Sequence, residues 1–201
     1  MKNSFTHGFS VIEFLLAIAI ATVICFATVV FLRNILHISA EADSRMTAVL
    51  ESRKILRVVI SELRSTIPSA LGSYPIESAS TSTITFFADV DFDDVADRVR
   101  YFLNPVTGSL ERGVVVASGN PPNYNAPETF TTIVSGVVNS AVLPIFEYYD
   151  ETYTGSEAPL SIPVNITAIR LVKVTVDIRK DPRQTDTVLM TSQASLRNLK
   201  E

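Results

Sequence analysis

The sequence predicts an α+β protein in which a long N-terminal helix, hydrophobic and then amphipathic, packs on an antiparallel β-sheet domain. Three observations carry this expectation. An uncharged apolar run covers Phe14–Leu32. Beyond it, apolar residues recur at spacings of three or four, and no Gly or Pro interrupts the chain from Phe9 to Ile67. From Ser73 onward, β-branched and aromatic stretches alternate with turn residues. A single helix followed by many strands is the order expected when a helix covers a sheet.

The apolar run is close to the roughly 20 residues that a helix needs to cross the hydrocarbon core of a bilayer, and Ser10–Ile12 extend it. Glu13 stands at its mouth. A carboxylate at the centre of a membrane helix costs roughly 2.5–3.5 kcal/mol, less near the end, and charges at such depth mark function by default. A cleaved secretory signal has an apolar core of about 7–15 residues with a small-residue cleavage site close behind. Here the core is longer, and Ala40-Glu41-Ala42 lies well past it, after Arg33 and His37. A plain membrane anchor with an unpaired, snorkelling Glu13 is the other alternative. Cys25, in the middle of the run, argues against a lipoprotein.

The helix is expected to continue from Phe9 to about Thr66, a length of roughly 85 Å at 1.5 Å per residue. Ile35, Ile38, Ala42, Met46, Val49, Leu50, Leu56, Ile60, Leu63 and Ile67 form one stripe, with charged residues between them. That is an amphipathic pattern with one face to bury. Pro68, Gly72 and Pro75 end it. Ser78–Thr83 reads as a linker. Strands are expected at Thr83–Ala88, Val99–Leu103, Ser109–Ala117, Thr129–Val138, Val142–Tyr149, Ala168–Arg179 and Asp186–Leu196, with a tight turn at Asn104–Gly108. Residues 170–178 alternate most cleanly, as an antiparallel strand with one covered face does.

Composition removes several function classes. The net charge is −4 and the pI about 5.3, which gives no basic surface for nucleic acid. Cys25 is the only cysteine, and the two histidines are His7 and His37, so neither an internal disulfide nor a Cys/His zinc cluster is available. No nucleophile elbow, phosphate-binding loop or acid–histidine pair appears, so no enzyme activity is expected. The rings of Phe146, Tyr148 and Tyr149 are expected to pack within the sheet. Asn165-Ile166-Thr167 has the form of a glycosylation sequon and is assigned no role.

Gly8-Phe9-Ser10-Val11-Ile12-Glu13, followed by Phe14-Leu15-Leu16-Ala17, resembles the N-terminus of type IV prepilins and type II secretion pseudopilins. The resemblance implies cleavage between Gly8 and Phe9 by a prepilin peptidase, methylation of the new Phe9 amine, and Glu13 as the fifth mature residue and the assembly residue. Gly8 leaves a cut site free of side-chain obstruction. The new amine at Phe9 can pair with Glu13, in one subunit or between neighbours, which lowers the cost of both charges in lipid. The implied divisions are a leader (1–8), a transmembrane and filament-core helix (9–32), an amphipathic spine (33–67) and an extracytoplasmic β-rich domain (68–201).

Arg98-Val99-Arg100-Tyr101-Phe102-Leu103, the Asn104–Gly108 turn and Leu110-Glu111-Arg112 look like the hairpin of J-type minor pseudopilins and W-type minor pilins. Phe146-Glu147-Tyr148-Tyr149-Asp150 and Leu196-Arg197-Asn198 resemble later strands of the same subgroup. Val30 stands where major pilins typically carry a helix-kinking Pro, which also favours a minor subunit. The implied partners are other pilin-like subunits, the peptidase/methyltransferase, an inner-membrane assembly platform and the membrane itself. The implied location is the bacterial inner membrane, single-pass, and a filament after assembly.

The densest acidic cluster is Asp89–Asp97. Alternate carboxylates at Asp89, Asp91 and Asp93 resemble the start of a calcium loop. Asp94 replaces the Gly expected at its sixth position and Arg100 the Glu at its twelfth. A solvated acidic turn between strands is the competing expectation. Together these features predict a minor pilin-like subunit of a secretion pseudopilus or type IV pilus-like filament, acting in protein export or filament initiation. The alternatives are a membrane-anchored extracytoplasmic binding or sensor domain, and a competence-filament subunit in DNA uptake.

Overall fold

The structure is a computed structural model that describes residues 10–179 and 187–196. Helix α1 runs without interruption from Val11 to Arg64. Its first amide bonds close on the Ser10 carbonyl, from Glu13 N at 3.0 Å and Phe14 N at 3.1 Å. Its end is closed by the Thr66 hydroxyl, which donates to the Leu63 carbonyl at 2.7 Å. Two residues later, Pro68 has no amide hydrogen to continue the ladder. The chain forms two compact units, one ending at Arg45 and the other beginning at Met46, and α1 contributes to both.

In the first unit, Val11–Ser39 is long and apolar enough to span a membrane, with a mean hydropathy of 2.9 and no buried residue. Two threonine hydroxyls in this stretch are satisfied within the helix. Thr22 donates to Ala19 O and Thr28 to Ile24 O, each at 2.8 Å. Lipid demands such internal pairing, because it supplies no partner of its own.

The second unit holds two antiparallel sheets. Strands β1 (Ile76–Ala79), β2 (Thr83–Ala88), β3 (Asp97–Asn104), β4 (Ser109–Val115) and β5 (Thr129–Ser135) form a five-stranded meander in sequence order. Strands β6 (Phe146–Tyr149), β7 (Leu171–Ile178) and β8 (Val188–Ser195) form a three-stranded sheet, again in order. Two seams join the sheets. At one, Ile145 N and Phe146 N both donate to Thr81 O at 3.0 Å, and the Tyr148 hydroxyl donates to Ser80 O at 2.7 Å. At the other, Val138 N donates to Asp177 O and Arg179 N to Gly136 O. Gly136 has φ +76°, and a Cβ there would lie 2.4 Å from Arg179 O. The seam therefore requires glycine on both conformational and steric grounds.

The core follows from the alternation of β3. Val99 and Tyr101 point inward, Arg98 and Arg100 outward. Ile55, Leu56, Val59, Ile60 and Leu63 of α1 join Phe86, Tyr101, Leu110, Val172 and Val174 in one buried cluster. Each such side chain contributes roughly 1.5–3 kcal/mol on leaving water. On the outer face, Arg100 makes a bidentate pair with Glu128 at 2.9 and 2.7 Å and lies 4.3 Å over the Phe102 ring. Gly113, opposite Arg100 in the register, leaves room for this pair, because a Cβ there would collide with the Glu128 carboxylate.

Glu62 fastens α1 to the meander. Its Oε2 accepts from the Tyr101 hydroxyl at 2.8 Å and from Arg112 Nε at 3.0 Å, and its Oε1 pairs with Arg112 at 2.9 Å. Tyr101 and Arg112 are direct partners across β3 and β4. Burial, and then the Glu62 charge, push the Tyr101 phenol far above its ordinary value, so it stays a donor. The hairpin residues Tyr101 and Arg112 thus meet on one carboxylate.

Some elements depart from expectation. The stretch expected as a linker, Ser78–Thr83, starts in β1 and ends in β2, because Ser78 and Ala79 pair with Thr85 and Ile84. The strand expected from Val142 starts only at Phe146, after Pro144, which cannot donate to a ladder. Among the described side chains, the stripe is covered from Ile55 onward. Ile35, Ile38, Met46 and Leu50 are exposed, while Ile55 and Val59, outside the expected stripe, are buried. The side chains of Ala42 and Val49 lie outside the described ones. Phe146 and Tyr148 are buried in the sheet as expected.

Charged hydrogen bonds of this kind contribute about 1.5–3 kcal/mol. Glu62→Gln in the full chain is therefore expected to destabilise the second unit by about 2 kcal/mol. Urea unfolding followed by tyrosine fluorescence would measure this, with an unchanged slope marking a loss of stability alone.

Candidate functional site

Two places hold the residues singled out by the sequence. The first is the start of α1. Glu13 lies in the first turn, and its Oε2 accepts a long hydrogen bond of 3.3 Å from Ser10 N. This is one half of a capping box, in which an acidic residue three positions into the helix reaches back to the cap amide. The helix dipole also favours a carboxylate here, by about 0.3–1 kcal/mol where exposed. The pattern Ser10-Val11-Ile12-Glu13 is the sequence signal for this cap, and Ser10 is its missed member. Gly8 and Phe9 lie outside the described residues.

The second place is the loop between β2 and β3. Asp89 shapes it: Oδ1 accepts from Phe92 N at 2.7 Å and Asp93 N at 3.3 Å, and Oδ2 from Asp94 N at 3.1 Å. Phe92 and Asp94 take left-handed backbone angles, φ +64° and +66°. Asp93 Oδ1 accepts from Val95 N at 2.9 Å. Asp97, at the start of β3, is buried, and its carboxylate accepts from Ala117 N at 2.9 Å and Val90 N at 3.4 Å.

Carboxylate oxygens of Asp89, Asp91 and Asp97 lie within 4.8 Å of one another. Of the expected calcium set, Asp89 and Asp91 come together, and Asp97 joins them in place of Asp93. Asp97 closes the acidic cluster in the sequence, at the ninth position counted from Asp89, and strand β3 delivers it to the other two. Arg100, which stands at the twelfth position in place of Glu, is in β3 and committed to Glu128. The donor type suits a hard cation, but calcium takes 6–8 oxygens. Both oxygens of Asp89 and both of Asp97 already accept backbone amides. The three carboxylates fit the ion in chemistry and fall short of it in number.

Asn165, of the Asn-Ile-Thr sequence, caps a short 3₁₀ turn at Ile166–Ala168 by accepting from Thr167 N at 3.2 Å. A local hydrogen bond accounts for that residue pattern. Comparison with family models, with curated proteins and with solved structures gives no match.

Burial raises the Asp97 carboxyl above the ordinary carboxylate value, the amides of Ala117 and Val90 oppose this, and the charges of Asp91 and Asp93 add to it. The folded state therefore holds the Asp97 proton more tightly than the unfolded state. The associated stability is fully present below the ordinary carboxylate value and is lost as pH rises through the raised one. A carboxyl NMR titration in the presence of a chelator should place Asp97 above the ordinary carboxylate value. A divalent cation held by these groups would move it the opposite way.

Proposed function

We propose that the chain is a pilin-like subunit of the minor pseudopilin type. It sits first in the bacterial inner membrane through α1, with the β-rich unit extracytoplasmic, and then enters a secretion pseudopilus or type IV pilus-like filament in protein export or filament initiation. The observation that supports this most is the division of α1. One continuous helix is apolar and uncovered over Val11–Ser39, then supplies Ile55–Leu63 to the core of the second unit. An exposed apolar surface of that extent needs lipid or neighbouring helices around it. A subunit that moves from bilayer to filament core uses the same surface in both places.

Glu13 is the specific part of the reading. Its carboxylate already turns toward the chain before it, to the Ser10 amide. Cleavage between Gly8 and Phe9 would create an amine one residue before that amide, where a carboxylate and an ammonium offset each other's desolvation. The amine of one subunit and Glu13 of the next would set the axial register. The prepilin peptidase/methyltransferase and an inner-membrane assembly platform are the partners this implies.

Sequencing the N-terminus of the mature protein is expected to give N-methylated Phe9. A chain beginning at Met1, or at Asp43 after cleavage behind Ala42, would overturn the proposal in favour of an anchored domain or a secretory signal. Glu13→Ala should leave cleavage intact and reduce sheared filament-associated protein to background. Glu13→Gln separates the two roles, because an amide oxygen can still accept from Ser10 N but carries no charge. Assembly of the Gln variant at the native level would show that the cap, and not the charge pair, is what matters.

A further inference from the structure

An open groove of about 550 Å³ lies between α1 and β8 in the second unit. Its floor is apolar: Leu56 and Ile60 are buried, and Met190 is half-buried. Its rim is basic. Arg53, Arg57 and Arg64 project along one helix face, spaced by one turn and then by two. Arg64 donates to Gln193 O at 3.2 Å and so bridges from α1 to β8. Among the described residues, no carboxylate pairs with Arg53 or Arg57. A basic rim over an apolar floor selects an occupant with an apolar tip and acidic flanks.

The same chain carries such a tip. In the loop between β2 and β3, Phe92 is 90% exposed and is flanked by exposed Asp91, Asp93 and Asp94. Three backbone amides bound to Asp89 hold the turn in shape, so little order has to be gained on docking. A phenylalanine at φ +64° is an uncommon conformation for a bulky residue. No residue of this loop lines the groove, so one chain does not fill its own.

We infer that the Phe92 loop of one copy docks in the arginine groove of a second copy of this chain. Phe92 sits over Leu56, Ile60 and Met190, and Asp91, Asp93 and Asp94 face Arg53, Arg57 and Arg64. The two surfaces differ, so the contact is heterologous, and repeated it yields a ring or an open row of β-rich units. This contact does not depend on what surrounds Val11–Ser39, and it stands even if that stretch proves to be a simple anchor.

The test uses the full chain in detergent with chelator present and Cys25 replaced by Ser. One tagged copy carries Asp94→Cys and the other Ser192→Cys. Under mild oxidation a disulfide-linked heterodimer is expected, well above a control pair with Thr107→Cys in place of Asp94→Cys. Phe92→Ala in the loop copy, or Arg57→Glu in the groove copy, should each cut the yield about tenfold, the scale of a 1.4 kcal/mol loss. Asp91→Arg in the loop copy should restore the yield against Arg57→Glu, a rescue that misfolding would not produce. Raising salt should weaken the link, because the screening length falls from about 10 Å at 0.1 M to about 3 Å at 1 M. Yields equal to the control pair, or indifferent to both charge changes, would overturn the inference. So would absence of the link together with Arg57-dependent binding to anionic phospholipid vesicles, which would assign the groove to a lipid headgroup.

Discussion

The second unit depends on one carboxylate. Glu62 sits in the last turns of α1, where Leu63 and Val59 supply the apolar contact with the sheets, and its two oxygens take the Tyr101 hydroxyl and the Arg112 guanidinium together. Apolar burial alone would let the helix slide or rotate over a smooth β-face with little penalty. A charged, two-pronged hydrogen bond is directional, and it fixes both the rotation of α1 and its height against β3 and β4. The cost of leaving the buried Tyr101 hydroxyl without a partner adds to that constraint. The seams at Ser80–Thr81 and Gly136–Val138 then set the smaller sheet against a meander that is already placed.

The rest of α1 obeys a different constraint. In its first half, the hydroxyls of Thr22 and Thr28 are turned onto helix carbonyls and the one early charge, Glu13, is turned onto a cap amide. In the second half, the covered apolar side chains among the described ones are Ile55, Leu56, Val59, Ile60 and Leu63. Met46 and Leu50 remain exposed, between the membrane-grade segment and the core. Exposed apolar residues on Val11–Ser39, and again at Met46 and Leu50, are consistent with a helix made to be surrounded by other helices.

Much of this was legible in the sequence, and the failures have specific causes. The bounds of α1 were readable because no Gly or Pro enters it and Pro68 follows it. Strand β2 was readable from its β-branched and aromatic run between turn residues. Strand β1 was not, because Ile76–Ala79 is short and polar, and it becomes a strand only through pairing with Phe86, Thr85 and Ile84. Periodicity shows which face of α1 is apolar but not what covers it, so the expected stripe includes the exposed Ile35, Ile38, Met46 and Leu50 and leaves out the buried Ile55 and Val59. At the acidic loop, sequence spacing gathered Asp89, Asp91 and Asp93. The turn instead directs Asp93 to Val95 N and brings Asp97 in from the strand. The match of a Phe92 tip to an arginine rim joins residues far apart in the sequence, and no local pattern could have paired them.

The five-stranded sheet is a meander in which every strand pairs with its neighbour in sequence. Its hairpins close short loops and form quickly, whereas β6 and β7 must wait for the chain between Tyr149 and Leu171. Synthesis runs from the N-terminus, so Leu56, Val59, Ile60 and Leu63 are made before any strand that will cover them. The β1–β2 hairpin is made first and brings Ile76, Ile84 and Phe86 to the same core, and the β3–β4 hairpin that follows carries the two groups that Glu62 binds. The clamp thus has a place in the order of synthesis: the second hairpin brings the groups that lock the helix, and the smaller sheet is added to a helix already committed.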